Sequence, residues 1–180
     1  MENEKSAYPA EHLSIYQMII LLNGSINAGK TTVSKRLCCL LPRAAHVEVD
    51  SLRDFIAWMP LEESIPINIE AAIAVSKVFV RHGLNVVFSY PLRPEDYEVI
   101  LREFGELHVP VHCVTLRPRL EVSLTNRGTR QLTDWERSRI QYHYETRLND
   151  PGVGFILDNS AQSPDETARE ILRRIEAKNL

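Results

Sequence analysis

Residues 24–31 constrain this chain more than any other feature. Their letters, GSINAGKT, fit the phosphate-binding pattern G-x-x-x-x-G-K-[ST]. An apolar run over 17–23 precedes them and amphipathic spacing over 32–41 follows them, which predicts the order strand, loop, helix. In that order several backbone N–H groups converge on a phosphate at the start of a helix. The stretch therefore predicts a site for the phosphates of a nucleoside triphosphate.

Each residue of this loop has a predicted task. Lys30 is expected to reach the β- and γ-phosphates, and the Thr31 hydroxyl to supply one oxygen to Mg²⁺, which prefers oxygen ligands. A coincidental glycine turn is the alternative, and the flanking strand and helix argue against it. The predicted nucleotide contacts of the loop are Gly24, Asn27, Ala28, Gly29, Lys30, Thr31 and Thr32.

Composition excludes several classes of protein. The chain has 180 residues, 44% hydrophobic and 25% charged, as expected for one globular domain, and a net charge of -3 gives no overall field for holding nucleic acid. No apolar run approaches the roughly 20 residues that span a bilayer, and residues 1–5 do not resemble a signal peptide, so a cytoplasmic protein, monomeric or homo-oligomeric, is expected. The three cysteines are expected to be reduced thiols that fill the core, and the six histidines show no metal-binding pattern.

Strands and helices alternate along the chain. The predicted strands are 17–23, 46–50, 85–89, 111–116 and 154–158. The predicted helices are 32–41, 52–58, 68–82, 95–103, one that opens at Pro118, and two that start at capping boxes, 133–148 and 163–177. This alternation predicts an α/β fold: a three-layer sandwich around a five-stranded parallel sheet. Residues 1–14 are predicted to be a flexible tail, and 15–180 one domain with a lid at about 118–134.

Ligands of such sheets collect at the carboxyl ends of the strands, where Asp50 is predicted to end the second strand. Its carboxylate could take the proton of an attacking hydroxyl or hold a magnesium-bound water. It could instead only cap the following helix. Arg53 lies on the same helical face and could grip a substrate, or could pair with Asp54 or Glu48.

The third predicted strand ends without the aspartate that many phosphate-loop proteins use as a second magnesium anchor. Ser89 or a water could fill that place, or Ser89 could simply end the strand. Tyr90 follows it as a further substrate candidate, and it could form an aromatic wall with Phe55, Trp58 and Met59. These four side chains could equally belong to the core.

Basic residues cluster in the predicted lid. Phosphoryl transfer needs charge neutralisation, and an arginine-bearing segment that closes over the nucleotide would supply it. Arg127 and Arg130 flank Gly128 and are the predicted contacts of γ-phosphate or adenine. A solvated basic face is the alternative.

The chain resembles the chloramphenicol phosphotransferase family. The resemblance rests on MIILLNG at 18–24, AGKT at 28–31, VDSL at 49–52 and MPL at 59–61. More broadly the chain looks like small-molecule kinases of the adenylate-kinase type, including shikimate, gluconate and adenylylsulfate kinases. The resemblance implies ATP and Mg²⁺ as cofactors, and Asp50 as the base for the accepting hydroxyl. It also maps the arginine-bearing lid onto Arg127 and Arg130, and the adenine border onto Asn159 and Ser160.

The sequence departs from this family where strand three ends, because Ser89 and Tyr90 stand in place of acidic residues. The leading hypothesis is an ATP-dependent kinase that phosphorylates a hydroxyl of a small molecule, either an antibiotic such as chloramphenicol or a shikimate- or sugar-like metabolite. A nucleoside, nucleotide or sugar-nucleotide kinase stays open. From another class, a nucleotide-binding switch with slow ATP hydrolysis stays open as well.

Overall fold

The computed structural model describes residues 17–126, 131–148 and 150–178. Its strands are β1 (Ile19–Gly24), β2 (Ala44–Glu48), β3 (Asn85–Ser89), β4 (Val111–Leu116) and β5 (Phe155–Leu157). Its helices are α1 (Lys30–Leu40), α2 (Val49–Leu52), α3 (Leu61–Arg81), α4 (Pro94–Gly105), α5 (Leu120–Ser123), α6 (Asp134–Glu145) and α7 (Pro164–Lys178). A 3-10 turn, Arg53–Ile56, follows α2. The predicted tail at 1–14 lies outside the described residues.

All five strands are parallel, in the order β2-β3-β1-β4-β5. The central strand β1 is buried along its whole length, and its alternate side chains point into opposite cores. Ile19 and Leu21 face α3 and α4, while Ile20 and Leu22 face α1 and α7. Helices therefore cover both faces of the sheet, and this confirms the α/β class and the five-stranded parallel sheet.

The second predicted strand is shifted by two residues. It was expected at 46–50, but β2 ends at Glu48, which pairs with Ser89 at the end of β3. Since β3 offers no partner beyond that pair, the backbone turns into α2 at Val49. Asp50 consequently lies in the first turn of a short helix and not at a strand end. The helix predicted at 52–58 is wrong in both bounds.

Helix α3 begins seven residues earlier than the predicted helix at 68–82. Pro66 lies inside it and removes one helical hydrogen bond, which made the sequence look broken there. Ile65, Ile69 and Ile73 nevertheless form one apolar stripe that packs against the sheet. Burying this stripe outweighs one missing hydrogen bond, which contributes about 1 kcal/mol.

The predicted capping boxes are present. The Thr133 hydroxyl accepts from the N–H of Glu136 at the start of α6, and Ser163 and Glu166 form the same pair before α7. Among the described helices, none combines the length and apolarity that a bilayer-spanning segment needs. Burial raises the pKa of Cys113 to about 11, so its thiol stays protonated, as expected for a core residue. The expectation was wrong for Cys39, which is exposed on α1.

Candidate active site

The phosphate-binding loop connects β1 to α1 at the carboxyl edge of the sheet. Gly24 has a φ of 151°, and a Cβ there would lie 2.6 Å from the carbonyl oxygen of Leu116. Gly29 has a φ of 96° immediately before α1 begins at Lys30. Both positions therefore favour glycine. No acidic residue occupies the first turn of α1, so its free N–H groups and helix dipole remain suited to an anion.

Two side chains fix the shape of this loop. The Lys30 ammonium donates to the carbonyl oxygens of Gly24 and Ser25, each at 2.9 Å. Asn27, at a φ of 61°, donates from its amide to the carbonyl oxygens of Ser123 and Thr125. The loop is thus held to α5, at the base of the predicted lid.

A first cavity of about 600 Å³ opens in front of α1, and we call it the nucleotide cavity. It is lined by Ile26, Asn27, Gly29, Lys30, Thr31, Thr32, Val33, Glu48, Asp50, Pro91, Asn159, Gln162, Pro164 and Thr167. Most of the loop residues predicted to contact nucleotide therefore lie together. Ala28 is buried beneath the cavity, and Gly24 lies on the other side of the loop.

The two residues predicted to border adenine differ in placement. Asn159 lines the nucleotide cavity, and its amide donates to the carbonyl oxygen of Ala28 at 3.1 Å. Ser160 does not line it: its hydroxyl donates to Asp158 and accepts from the N–H of Arg119. Ser160 thereby orders the turn after β5, and the side chain available to a ligand is that of Asn159.

Thr31 contacts an acidic residue that the sequence did not single out for this task. Its hydroxyl donates to the carboxylate of Glu48, the last residue of β2, over 2.5 Å. The predicted metal pair was Thr31 and Asp50, and all three side chains line the nucleotide cavity. Their donors are all oxygens, the set that suits Mg²⁺. Glu48 was missed because it was assigned to the interior of a strand.

Asp50 lies where two cavities meet. It lines the nucleotide cavity and also a second one of about 310 Å³, which we call the acceptor cavity. Burial is the largest influence on its carboxyl group and raises its pKa; Glu48 raises it further, while Lys30 and Arg53 lower it. A carboxylate in this setting is a stronger base than one in water.

The acceptor cavity lies between α3, α6 and the loop after β3. It is lined by Asn23, Gly24, Ser25, Ile26, Asp50, Arg53, Leu61, Ile65, Tyr90, Pro91, Leu92, Arg93, Trp135, Glu136, Arg139, His143 and Leu148. Two of the predicted substrate residues, Arg53 and Tyr90, are therefore brought to Asp50. Ser89 lines neither cavity, because its buried hydroxyl bonds Nε2 of His46 at 2.8 Å. Arg127 and Arg130 lie outside the described residues.

The aromatic wall consists of different residues from those expected. Phe55 and Trp58 are 83% and 78% exposed and line neither cavity, so they form neither a pocket wall nor core. Tyr90 does line the acceptor cavity, and Trp135 from the first turn of α6 joins it. The expected wall assumed a helix over 52–58, but a 3-10 turn forms there instead and leaves Phe55 and Trp58 exposed.

His143 is a further cavity residue that sequence reasoning missed. It is buried on α6 and shares a 3.0 Å hydrogen bond with the hydroxyl of Ser25 in the phosphate-binding loop. Burial, with Arg139 and Lys30 nearby, lowers the pKa of His143 to about 4. The imidazole is therefore neutral at pH 7. A lone histidine in a polar helix gives no sequence signal for such a contact.

Comparison with known structures was made at the level of the fold. A tunicamycin resistance protein from Deinococcus radiodurans aligns with a TM-score of 0.66 and 18% identity, over 88% of this chain and 95% of that one. A gluconokinase from Sinorhizobium meliloti aligns with a TM-score of 0.64 and 20% identity, over 91% and 96%. The adenylylsulfate (APS) kinase of Mycobacterium tuberculosis, in complex with AMPPNP and APS, aligns with a TM-score of 0.61 and 15% identity, over 89% and 98%.

No protein-family model and no curated protein sequence matches the chain. At these identities the structural likeness establishes the fold and nothing narrower. The chain therefore shares the α/β fold of these three structures.

Proposed function

We propose that this protein is an ATP-dependent phosphotransferase that moves the γ-phosphoryl group to a hydroxyl of a small molecule. One observation carries the proposal: Asp50 lines both the nucleotide cavity and the acceptor cavity. A hydroxyl bound in the acceptor cavity would meet a base on the side that faces the phosphates. Catalysis of this kind rests mainly on positioning and charge neutralisation.

The side chains divide the work between phosphate, metal and acceptor. Lys30 and the N–H groups at the start of α1 would bind the β- and γ-phosphates. Oxygens of Thr31 and Glu48 would hold Mg²⁺, and Asp50 would contribute to the site through a magnesium-bound water; the ion would neutralise phosphate charge when bound. Asp50 would take the proton of the acceptor hydroxyl as the new bond to phosphorus forms. Arg127 and Arg130 remain predicted, from the sequence alone, to contact the γ-phosphate or adenine from the lid.

Adenine as the nucleobase is supported by one structural neighbour and by one side chain of this chain. The APS kinase named above was determined with AMPPNP, an ATP analogue. In this chain Asn159 is only 4% exposed, lines the nucleotide cavity, and carries an Oδ1 without a hydrogen-bond partner among the described residues. A buried acceptor oxygen of this kind would suit the amino group of adenine.

The acceptor is expected to be small. The acceptor cavity holds about 310 Å³, near the lower end of the range for small-molecule sites. The three neighbours are described as resisting tunicamycin, phosphorylating gluconate and binding APS, so the fold alone does not choose an acceptor. A shikimate- or sugar-like metabolite fits this volume more readily than a large antibiotic.

The test is acceptor-dependent ADP release from ATP and Mg²⁺. Wild type, Lys30→Ala and Asp50→Asn would be compared across chloramphenicol, shikimate, gluconate, nucleosides and aminosugars. With an active acceptor, Asp50→Asn should lower the rate of ADP release by about 10²- to 10⁴-fold, and Lys30→Ala should lower it by about 10²-fold. Asp54→Asn is the matched control, since Asp54 is exposed and lines neither cavity.

Two outcomes would contradict the proposal. The first is an acceptor-dependent rate that Asp50→Asn leaves unchanged, which would remove the proposed base. The second is tight binding of ATP with no stimulation by any acceptor, in which case a nucleotide-binding switch becomes the better account.

A further inference from the structure

We infer that the acceptor carries an anionic group, such as a carboxylate or a phosphate, in addition to the hydroxyl that receives the phosphoryl group. This inference rests on the proposed function and narrows the substrate class. It comes from the charges that line the acceptor cavity. They are carried by Asp50, Arg53, Arg93, Glu136 and Arg139.

Two of these five side chains already have hydrogen-bond partners within the protein. Arg93 forms a bidentate pair with Asp96 and a second contact with Glu95. The Glu136 carboxylate accepts from the N–H and the hydroxyl of Thr133 at the start of α6. Neither side chain would need a ligand to complete it.

Arg53 and Arg139 are different. In the part of the chain that the structure describes, neither guanidinium group forms a salt bridge or a hydrogen bond. Arg53 is half-buried after α2 and close enough to lower the pKa of Asp50. Arg139 is exposed and packs over the ring of Tyr142 at 5.1 Å. It lies close enough to His143 to lower the pKa of that imidazole together with burial, and close to Tyr90, whose pKa burial raises to about 12. Two arginines thus line one small cavity, and neither guanidinium group is paired with the two acidic residues that also line it, Asp50 and Glu136.

The remaining residues of the cavity provide no hydrogen-bond partner for these two guanidinium groups. His143 has a pKa of about 4 and is uncharged at pH 7, and Asp50 is shared with the Lys30 ammonium. Guanidinium groups bind carboxylate and phosphate through paired hydrogen bonds. Leu61, Ile65 and Trp135 add an apolar wall, so the rest of the molecule would be a ring or a short carbon chain.

Neither arginine lines the nucleotide cavity, so the geometry assigns both to the acceptor and not to the nucleotide. Among the described residues, only Ile26, Asp50 and Pro91 line both cavities. An anion held by Arg53 and Arg139 would therefore sit on the far side of Asp50 from the phosphates. The acceptor hydroxyl would lie between them, next to the carboxylate.

The first experiment measures binding, so that it does not depend on turnover. Trp135 lines the acceptor cavity, while Trp58 is exposed and does not, so Trp58→Phe leaves one tryptophan that reports on the site. In that background, with AMPPNP and Mg²⁺ present, its fluorescence would be titrated with matched probes. The pairs are gluconate and glucitol, shikimate and its methyl ester, and glucose 6-phosphate and glucose.

The acid of at least one pair should bind about 10- to 100-fold more tightly than its neutral counterpart, because charge-assisted hydrogen bonds are lost with the charge. Arg53→Gln and Arg139→Gln should each reduce this preference about 10-fold, and Arg53→Lys should recover part of it. Arg36→Gln is the matched control: Arg36 is exposed on α1 and lines neither cavity. The carboxylate and phosphate pairs identify which anion is preferred.

The inference is overturned if neutral probes bind as tightly as their acids, or if the arginine variants weaken AMPPNP binding but leave the preference for acids unchanged. ADP release with the same probes separates this failure from failure of the proposed function. Turnover of neutral acceptors alone would retain the kinase and refute the anionic acceptor. Selective binding of an acid without turnover of any probe would support the anionic ligand and count against the proposed kinase activity.

Discussion

The buried imidazole of His143 should make the stability of this protein depend on pH in a way that one substitution can isolate. The side chain is 6% exposed, and its pKa falls from an ordinary 6.5 to about 4. Above pH 6.5 it is neutral in both the folded and the unfolded chain. As pH falls from 6.5 towards 4, the unfolded chain binds a proton that the folded chain excludes, so the free energy of unfolding decreases.

The size of this effect follows from the two pKa values. Their difference corresponds to about 3 kcal/mol, of which about 2.5 kcal/mol is expressed by pH 4.5. Other titrating groups also change the stability of the wild type, but they cancel when a variant without this imidazole is subtracted. The wild type should therefore lose about 2.5 kcal/mol more than His143→Gln between pH 7.5 and pH 4.5.

Urea denaturation followed by circular dichroism at four pH values would measure the difference. Two variants, His143→Gln and His143→Phe, would be compared with the wild type. Each should differ from it in free energy of unfolding by its own amount independent of pH, because glutamine can bond Ser25 and phenylalanine cannot. Their dependence on pH should nevertheless be the same, since neither titrates. A difference from wild type that stays flat within about 0.5 kcal/mol would refute the reasoning, as would two variants with different pH dependence.

Three further predictions follow from single positions. Gly154→Ala should destabilise the fold by about 3 kcal/mol or more, because its Cβ would lie 1.9 Å from the Cys113 carbonyl oxygen. Gly83 also has a positive φ but lies in open space, so Gly83→Ala should cost only about 1 kcal/mol. Equal losses of stability for the two variants in urea denaturation would refute the clash at Gly154. Thr133→Ala should cost about 1 kcal/mol in thermal unfolding through loss of the cap of α6, and no change would show that the cap is redundant. Glu48→Gln should raise the Mg²⁺ concentration needed for tight ATP binding about 10-fold in calorimetry, while an unchanged requirement would remove Glu48 from the metal site.

The sequence was most informative where local pattern and fold agree. The loop from Gly24 to Thr31 could be located from its letters, and β1 from the apolar run before it, because a central parallel strand is buried on both faces. The contact between Ser25 and His143 could not be located. It joins residues 118 positions apart and depends on where α6 packs against the loop, which no local pattern encodes.

The end of β2 was misjudged for a related reason. A strand ends where its neighbour stops pairing with it, and β3 ends at Ser89 opposite Glu48. The letters HVEVD suit a strand through Asp50, so only the register reveals the turn into α2. That two-residue shift is what moves Glu48 beside Thr31 and leaves Asp50 between the two cavities.

The serine at the end of β3 then has a physical explanation. Neighbouring strands lie about 4.8 Å apart, so an aspartate at 89 would stand beside Glu48 and near Asp50. Three carboxylates so close would raise one another's pKa, and burial and Glu48 already raise that of Asp50. Ser89 instead bonds His46 and adds no charge. The Glu48 side chain is longer than that of an aspartate and reaches Thr31 from the adjacent strand β2, so an acidic group still lies beside the phosphate-binding loop. Asp50 then keeps the ionisable carboxylate that the proposed function requires.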